Sequence, residues 1–300
     1  MIISIIGANG LLATEIGLFC NRNDINIKVF GRREPERYKG NEFNKVDLTT
    51  EHLNVEALLD SDIIYYTTGA GIQSNLKDSA SSIYHLNTFV PIELSKALNE
   101  KGYRGSFVTF GSYFEIGNNN EQIIFSEMDV ACSVLKVSND YCVSKRLLTR
   151  YVVSSLNNPF KHLHFILPTI YGEKEASHRL IPYTINSIKR NESMQFTSGV
   201  QIRQYLYAGD IPKIIFDFVD FKKEGVFNIA GEETYTVRKI IEMIHAFYGL
   251  ETSEELFGKA DRSDIAMQDL QIDDCELKKI LPNIKYTKFV DSLKMYDQCL

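Results

Sequence analysis

The sequence has few of the features that mark disulfide-linked, metal-binding or membrane proteins. Its cysteines are odd in number and unevenly spaced, no CxxC pair occurs, and the histidines are scattered. We therefore expect neither a disulfide framework nor a metal site. No apolar stretch approaches the length of a membrane span. The apolar run near the N-terminus is short and lacks a preceding basic region, which argues against a signal peptide.

The sequence also lacks an excess of positive charge, an internal repeat and a low-complexity linker. A formal net charge of −6 over 300 residues argues against nucleic acid or an anionic membrane surface as the main partner. Apolar content is ordinary for a globular protein, so a sizeable core can form. This length suffices for two compact domains or for one large domain with a smaller cap. We expect a cytoplasmic protein.

The first twenty residues carry a pattern typical of a phosphate-binding βα unit. Residues 2–6 are a short β-branched run that suits a buried strand, and helical spacing begins after residue 10. A glycine at position 7 permits a sharp exit from the strand, and one at position 10 lets a pyrophosphate approach the free N–H groups of the helix. A turn without a ligand is the alternative. The cofactor contacts predicted here are Gly7, Asn9, Gly10, Leu11 and Leu12.

The next two predicted strands indicate which dinucleotide binds. Residues 25–30 predict a strand that is followed by Gly31, Arg32 and Arg33. Folds that bind NAD usually carry an acid here for the ribose hydroxyls, whereas arginine suits a 2′-phosphate. We therefore predict NADP(H), with NAD as a possible cofactor; two solvated arginines are the alternative reading. Residues 46–48 predict a third strand, whose Asp47 and Leu48 would meet the adenine edge.

Further along the chain, strands and helices alternate. Strands are predicted at 62–66, 105–110, 162–167 and 226–230, and helices at 87–101, 139–155, 180–189, 211–219 and 236–248. This alternation indicates a parallel sheet that is covered on both faces. After the strand at 62–66, the small residues Thr68, Gly69 and Ala70 would let the main chain approach the cofactor.

Tyr141 and Lys145 give the strongest chemical signal. Residues i and i+4 share one face of a helix, and this face would point at the sheet. An ammonium nearby, together with a positively charged nicotinamide, stabilises phenolate and would lower the pKa of Tyr141 from about 10. The pair could then exchange a proton with a carbonyl or carbinol. Ser112 follows the strand at 105–110 and could hold the same oxygen, unless it caps its own turn.

With these residues together, the chain resembles the extended short-chain dehydrogenase/reductase family, in particular its nucleotide-sugar epimerase, dehydratase and reductase branch. The resemblance covers nearly the whole chain, with Ala13 in the glycine motif where a third glycine is usual. It implies catalytic roles for Ser112, Tyr141 and Lys145. It also implies a structural and proton-relay role for Asn87.

The resemblance extends to the substrate side of the chain. Pro168 begins a segment, P-T-I-Y-G, like the one that runs beneath the nicotinamide, and Arg203 begins one whose arginine clasps the substrate diphosphate. Dehydratases of this family carry Asp-Glu after the position of Ser112. Here Tyr113 and Phe114 stand in place of these two acids, and their absence argues against dehydration. We assign Ser112 and Tyr113 to substrate binding.

The resulting prediction is an α/β protein with a Rossmann-type parallel sheet, helices on both faces and a small discontinuous α/β substrate domain. Residues 1–167 and about 201–230 would bind NAD(P), and about 168–200 and 231–300 would bind the nucleotide sugar. The resemblance implies a homodimer through the helices around 87–101 and 139–155. Three functions stay open.

The first of these functions is NADP(H)-dependent reduction of the 4-keto group of a nucleotide-linked 4-keto-6-deoxyhexose. Arginine instead of an acid after the second strand favours it, because reductases exchange NADPH whereas epimerases recycle a tightly held cofactor. The second is an NAD(P)-dependent nucleotide-sugar 4-epimerase, and the third is an NADP(H) sensor without catalysis. Cys132 or His178 would be an extra acid near the sugar, if one is present.

Overall fold

The protein, described by a computed structural model over residues 1–71, 78–155, 158–260 and 267–299, contains two β-sheets. Its strands in chain order are β1 (Ile2–Ile6), β2 (Asn26–Gly31), β3 (Glu42–Lys45), β4 (Ile63–Tyr66), β5 (Ser106–Ser112), β6 (Ile124–Phe125), β7 (Lys161–Leu167), β8 (Thr169–Tyr171), β9 (Ile202–Tyr207), β10 (Gly225–Asn228), β11 (Glu233–Thr236) and β12 (Asp269–Ile272). Its helices are α1 (Leu11–Arg22), α2 (Ala80–Tyr84), α3 (Val90–Glu100), α4 (Glu127–Cys132), α5 (Asp140–Ser154), α6 (Leu180–Arg190), α7 (Ile211–Val219), α8 (Val237–Phe247), α9 (Cys275–Ile280) and α10 (Phe289–Cys299).

The larger sheet has seven parallel strands in the order β10-β7-β5-β4-β1-β2-β3. Its central strands are buried along nearly their whole length, because α1 and α7 pack on one face and α3 on the other. The strand order reverses between β1 and β4, the place where ligands bind in open α/β sheets. The predicted Rossmann-type sheet is confirmed.

The smaller sheet joins β11, β9, β12 and β6 in that order, with β8 also paired to β9. An apolar cluster beside it contains Tyr171 and Tyr205 from the strands and Ile185, Ile240 and Phe289 from α6, α8 and α10. The sheet thus has its own buried packing layer. It stands next to the carboxyl edge of the larger sheet, since β8 follows β7 after a single residue.

Three elements differ from the sequence-based predictions. The third strand ends at Lys45, one residue before the predicted segment, and Asp47 begins a turn in which Glu51 accepts its N–H. The helix predicted from residue 87 begins as α3 at Val90, after a π-helical turn at His85–Phe89. Pro91 cannot donate to the carbonyl of residue 87, which allows this wider turn.

The third difference concerns β9, which pairs in the smaller sheet although residues 201–230 were assigned to the nucleotide-binding domain. The rest of that range, α7 and β10, does pack with the larger sheet. The domain boundaries stay predictions. Across the part of the chain that the structure describes, no helix has the length and apolarity needed to cross a membrane, and no cluster of metal-ligating side chains occurs.

Candidate active site

A cavity of about 940 Å³ runs along the carboxyl edge of the larger sheet. Its wall comes from the ends of β4, β5 and β7, the first turn of α1, the start of α5, and the segment between β8 and α6. The wall includes these predicted site residues: Asn9, Gly10, Leu11, Leu12, Thr68, Gly69, Ala70, Ser112, Tyr141, Lys145, Pro168 and Arg203. The other predicted residues lie outside it: Gly7, Arg32, Arg33, Asp47, Leu48, Asn87 and Tyr113.

The first turn of α1 is suited to an anion. Gly10 is its N-cap, the first turn carries no acidic residue, and no described side chain caps its N–H groups. A Cβ on Gly10 would meet no atom within 4 Å, so this side of the turn is open. Gly7 has φ +103°, and a Cβ there would lie 2.8 Å from the hydroxyl oxygen of Thr68. The turn therefore fits the pyrophosphate of a dinucleotide. Gly7 allows the turn to pack closely against Thr68.

Asn9 ties the loop after β2 to this turn. Its side-chain oxygen accepts from the N–H of Glu36 at 3.0 Å, and its amide nitrogen donates to the carbonyl of Glu34 at 3.0 Å. Arg32 and Arg33 are exposed on the same loop. The two arginines thus form part of the rim of the site rather than of its wall.

The predicted adenine contacts occupy different environments. Hydrogen bonds from Thr49, and to a smaller extent the charge of Arg32, hold the pKa of Asp47 below its ordinary value, so the carboxylate of this half-buried residue stays ionised. Leu48 is buried in the apolar cluster beneath α3, and its carbonyl is 2.9 Å from Nε2 of His85. Asp47 is therefore available to a ligand at the rim, whereas the Leu48 side chain belongs to the core.

Tyr141 and Lys145 both reach the cavity from α5, but their electrostatics differ from the sequence-based prediction. Burial raises the pKa of Tyr141, and hydrogen bonding to Ser112 opposes this only in part. Nζ of Lys145 donates to the carbonyl oxygen of Phe110 at 2.8 Å, and burial lowers the Lys145 pKa. Among the protein groups alone, desolvation of the phenol outweighs the surrounding charges, and the lowering expected beside a positively charged nicotinamide stays a prediction.

Ser112 stands at the end of β5 and also caps the short helical turn of residues 113–116. Its hydroxyl accepts weakly from the N–H of Phe114 at 3.4 Å, so Ser112 does cap its own turn, and because it also lines the cavity its contact with the substrate oxygen stays a prediction. Tyr113 is fully buried, and its hydroxyl is 2.6 Å from that of Thr169. Phe114, rather than Tyr113, lines the cavity.

Asn87 connects the cofactor side of the cavity to α5. Its side-chain oxygen accepts from the N–H of Ala70, and its amide nitrogen donates to the carbonyl of Ala70 and to the hydroxyl of Ser144, each at 2.9 Å. The residue is fully buried. These bonds place Asn87 in a structural role, and its predicted part in proton relay stays a prediction.

The segment after β8 contributes charged groups that the sequence analysis missed. Glu175 accepts from the hydroxyl of Tyr296 at 2.8 Å and is 3.4 Å from Nε of Arg179, and burial raises its pKa to about 7. Arg179 lines the cavity near Tyr141, where its charge opposes the rise in the tyrosine pKa. The run E-K-E at 173–175, directly after the P-T-I-Y-G segment, was the available signal. Cys132 and His178 lie outside the wall.

Lys174 spans the cleft between the two sides of the cavity. Its Nζ lies 3.2 Å from Oε1 of Glu15 on α1, and it also pairs with Glu173. Its carbonyl accepts from Nη1 of Arg37 at 2.6 Å, which joins the loop after β2 to the loop after β8. The cavity is thus bridged at the end where α1 begins.

The parallel sheet with its glycine turn, and the Ser112, Tyr141 and Lys145 side chains in one cavity, define an enzyme of the extended short-chain dehydrogenase/reductase type. The model of the NAD dependent epimerase/dehydratase family matches residues 3–230, and the chain belongs to this family. The resemblance found in the sequence is thereby confirmed.

Known proteins similar to the chain fall in the same group. The chain is 31% identical over 108 residues to CDP-abequose synthase of Salmonella muenchen, a match that spans 35% of each protein. Its fold matches UDP-glucose 4-epimerase of Thermotoga maritima with a TM-score of 0.84, at 14% identity and over 99% of both chains. It matches dTDP-glucose 4,6-dehydratase of Bacillus anthracis, solved with NAD, with a TM-score of 0.81, at 15% identity and over 100% of this chain and 96% of that one. At these identities the structural matches show the fold alone.

Proposed function

We propose that the protein uses NADP(H) to reduce the 4-keto group of a nucleotide-linked 4-keto-6-deoxyhexose. The observation that carries this proposal is that one cavity contains both the uncapped first turn of α1 and the side chains of Ser112, Tyr141 and Lys145. Arg203 lines the substrate side of the same cavity. The partial similarity to CDP-abequose synthase supports a sugar linked to a nucleotide. Phe114 in the wall, where a dehydratase of this family has a carboxylate, favours reduction over elimination of water.

When bound, the nicotinamide supplies hydride-transfer chemistry. Tyr141 donates its phenolic proton to the carbonyl oxygen of the sugar, and the hydroxyl of Ser112 orients that oxygen. The Lys145 ammonium, fixed by the carbonyl of Phe110, stabilises the phenolate that Tyr141 leaves behind. Arg179 adds a second positive charge on the substrate side of the phenol.

The substrate side of the cavity suits a diphosphate. Arg203 on β9 is 7% exposed, and its Nη1 donates to the carbonyl of Ile202 at 2.7 Å, which leaves further N–H groups of its guanidinium to bind phosphate oxygens. We assign the diphosphate to Arg203, and the sugar to the space between Ser112 and Arg179. Residues of about 168–200 and 231–300, together with β9, would form the substrate domain.

For the cofactor, we infer a preference for NADP(H). Arg32 and Arg33 stand directly after β2 and are exposed, and no acid occupies residues 31–33. The one acidic partner of Arg33 among the described residues is Glu36, at 4.0 Å on the surface, so both arginines can reach a 2′-phosphate. The first turn of α1 would bind the pyrophosphate, and Asp47 would lie beside the adenosine. NAD is the alternative, since family members such as the dehydratase solved with NAD bind it.

A nucleotide-sugar 4-epimerase is the second candidate. The bridge of Lys174 to Glu15, together with the Arg37 bond to the Lys174 carbonyl, links both sides of the cleft and would slow cofactor exchange. An epimerase needs such retention, because its cofactor is regenerated in every cycle. A third candidate, an NADP(H) sensor without catalysis, would use the cofactor end of the cavity alone.

A substrate screen tests these functions. NADH and NADPH consumption is measured against a panel of nucleotide 4-keto sugars, with mass spectrometry of the products. A reductase consumes NADPH and adds two hydrogens to the sugar, whereas an epimerase retains NAD through purification and consumes none. Tyr141→Phe should abolish turnover of either enzyme but leave cofactor binding intact, while Tyr151→Phe on the same helix serves as the control. Unchanged turnover in Tyr141→Phe would rule out the mechanism.

We also propose that the protein is a homodimer. Phe89, just before α3, is 52% exposed, and Leu147 on α5 is 43% exposed, although both are large apolar residues. They belong to the two helical segments through which the family resemblance implies dimerisation. Burying them against a second copy would remove apolar surface from water.

A further inference from the structure

A buried carboxylate, Glu115, lies behind the catalytic edge of the cavity. It is 0% exposed and belongs to the turn that follows β5. Its Oε1 accepts from the backbone N–H of Ser112 at 2.7 Å, and its Oε2 accepts from the hydroxyl of Thr149 on α5 at 2.6 Å. Gly111 makes room for it, since a Cβ at that position would lie 2.7 Å from Oε1. The mechanism described above does not use this group.

A line of buried polar side chains leads away from Glu115 across the larger sheet. Oγ1 of Thr149 is 2.9 Å from Nε2 of His164, and Nδ1 of His164 is 2.8 Å from Oγ1 of Thr109. Oγ1 of Thr109 is in turn 3.1 Å from Nε2 of His162. Burial lowers the pKa of both histidines, so both are neutral, with one donor and one acceptor each.

When Glu115 is ionised, the available donors fix the direction of the hydrogen bonds along this line. An ionised Glu115 only accepts, so Thr149 donates to it and accepts from His164, which then accepts from Thr109 through its other nitrogen. Thr109 accepts from His162, whose Nδ1 has no partner among the described atoms and is left as a lone pair. The Thr149 hydroxyl also reaches the carbonyl oxygen of Lys145 at 3.2 Å, so it can donate there when Glu115 is protonated, and the rest of the line then keeps its direction. The line thus accommodates an ionised Glu115 with each of its bonds made, and these bonds reinforce one another.

Glu115 also balances a buried positive charge. Burial raises the pKa of Glu115, and its hydrogen bonds and the charge of Lys145 oppose that rise; burial lowers the pKa of Lys145, and Glu115 opposes that fall. A buried charge without a partner is strongly unfavourable, so each group stabilises the ionised form of the other. The other charged or titratable groups near the pair are Tyr141, Cys142, Arg146 and His164.

We propose that Glu115 is a positioning residue for the catalytic groups: its carboxylate holds the backbone of Ser112 and is the buried counter-charge of Lys145. Glu115 lies outside the cavity wall. The proposal rests on the proposed function only where it assigns catalytic roles to Ser112 and Lys145. The pairing of charges itself is independent of which sugar the enzyme accepts.

Glu115→Gln tests the proposal, because it keeps the shape of the side chain but removes its charge. The direct readout is the titration of the Lys145 amine by ¹⁵N NMR, assigned by its disappearance in Lys145→Met. We expect the titration midpoint of Lys145 to fall by about one pH unit or more. In the enzyme assay, the alkaline limb of kcat should move to lower pH by the same amount, while the KM for the sugar stays within about twofold.

Glu127→Gln is the matched control. Glu127 is also a buried carboxylate that accepts a backbone N–H, that of Asn228 at 3.0 Å. The Glu127→Gln variant should lower the free energy of unfolding, but it should not change the titration midpoint of Lys145 or the pH profile of kcat. An unchanged Lys145 midpoint in Glu115→Gln overturns the proposal.

Thr149→Val covers the case in which Glu115→Gln fails to fold. It removes one donor to the carboxylate without removing a charge, so the Lys145 midpoint should fall by a smaller amount, and an unchanged midpoint there counts against the proposal. The NMR titration needs no substrate. A wild-type protein that is inactive on every sugar therefore refutes the proposed function and leaves the role of Glu115 to be decided separately.

Discussion

Nζ of Lys145 donates a hydrogen bond to the carbonyl oxygen of Phe110 across 2.8 Å, which fixes a buried ammonium near the carboxyl end of β5. Because burial lowers the pKa of Lys145, this ammonium should lose its proton below the usual lysine range near pH 10.4. The bond thus couples catalytic geometry to pH. It also ties the position of α5 to that of β5, so a shift of either element would displace the ammonium from the site.

The first prediction concerns this ammonium. Lys145→Met should reduce kcat by about a hundredfold or more, since the phenolate of Tyr141 loses its stabilising charge. The alkaline limb of the wild-type kcat profile should lie below pH 10 and should be absent from the residual activity of the variant. Lys96→Met, at an exposed lysine on α3, is the control and should behave like wild type. A full-rate Lys145→Met enzyme would contradict the assigned role.

Much of the cofactor end could be predicted from the sequence, because its determinants are local. The strand of residues 2–6, the turn at Gly7 and Gly10, and the helix that follows need only neighbouring residues to form. Tyr141 and Lys145 could be placed on one helix face for the same reason. Their shared cavity with Ser112 then follows from the rule that parallel strands end at a common edge.

The substrate end could not be predicted in the same way, because it depends on contacts between distant residues. Arg179 and Glu175 reach the cavity because β8 pairs with β9, and the hydroxyl of Tyr296 on α10 donates to Glu175. Glu115 looks like an ordinary polar turn residue in the sequence. Its burial follows from Gly111 and from Thr149 on α5, which no local pattern reveals.

The two glycines of the first turn should respond differently to alanine. Gly7→Ala introduces a side chain at φ +103° and 2.8 Å from the Thr68 hydroxyl, so it should lower the free energy of unfolding by about 1–3 kcal/mol. Gly10→Ala, with φ −74° and open space around it, should keep its stability but weaken dinucleotide binding. Urea unfolding and calorimetric titration measure the two effects. Equal losses of stability in both variants would contradict this assignment.

The choice of cofactor should depend on the exposed arginines after β2. Arg32→Ala and Arg33→Ala together should weaken NADPH binding by about tenfold or more, because charge-assisted bonds to the 2′-phosphate are lost. NADH has no such phosphate, so its affinity should stay the same, and the preference should shift towards it. Arg104→Ala, an exposed arginine just before β5, is the control. If wild type binds NADH more tightly than NADPH, the proposed preference is wrong.

The dimer should depend on the exposed apolar residues of the two helical segments. Phe89→Asp or Leu147→Glu places a charge where the second copy would pack, so either should yield monomers in sedimentation equilibrium. Leu250→Glu alters another large apolar residue, 48% exposed, in the loop after α8 and should leave the assembly unchanged. A wild-type protein that sediments as a monomer at every concentration would refute the proposed dimer.

Stability should depend on pH through the buried carboxyl of Glu175. Its folded pKa of about 7 exceeds the ordinary glutamate value near 4.3, so between these values the folded state binds a proton that the unfolded state lacks. The contribution is fully present below about pH 4, and it is lost as the pH rises through 7. Glu175→Gln cannot ionise, so its stability relative to wild type should increase from pH 5 to pH 8 by on the order of 1–3 kcal/mol. Urea unfolding at both pH values measures this difference. Glu100→Gln, at an exposed site on α3, is the control and should show no such change. If the stability of Glu175→Gln relative to wild type is the same at pH 5 and pH 8, the raised pKa of Glu175 is wrong.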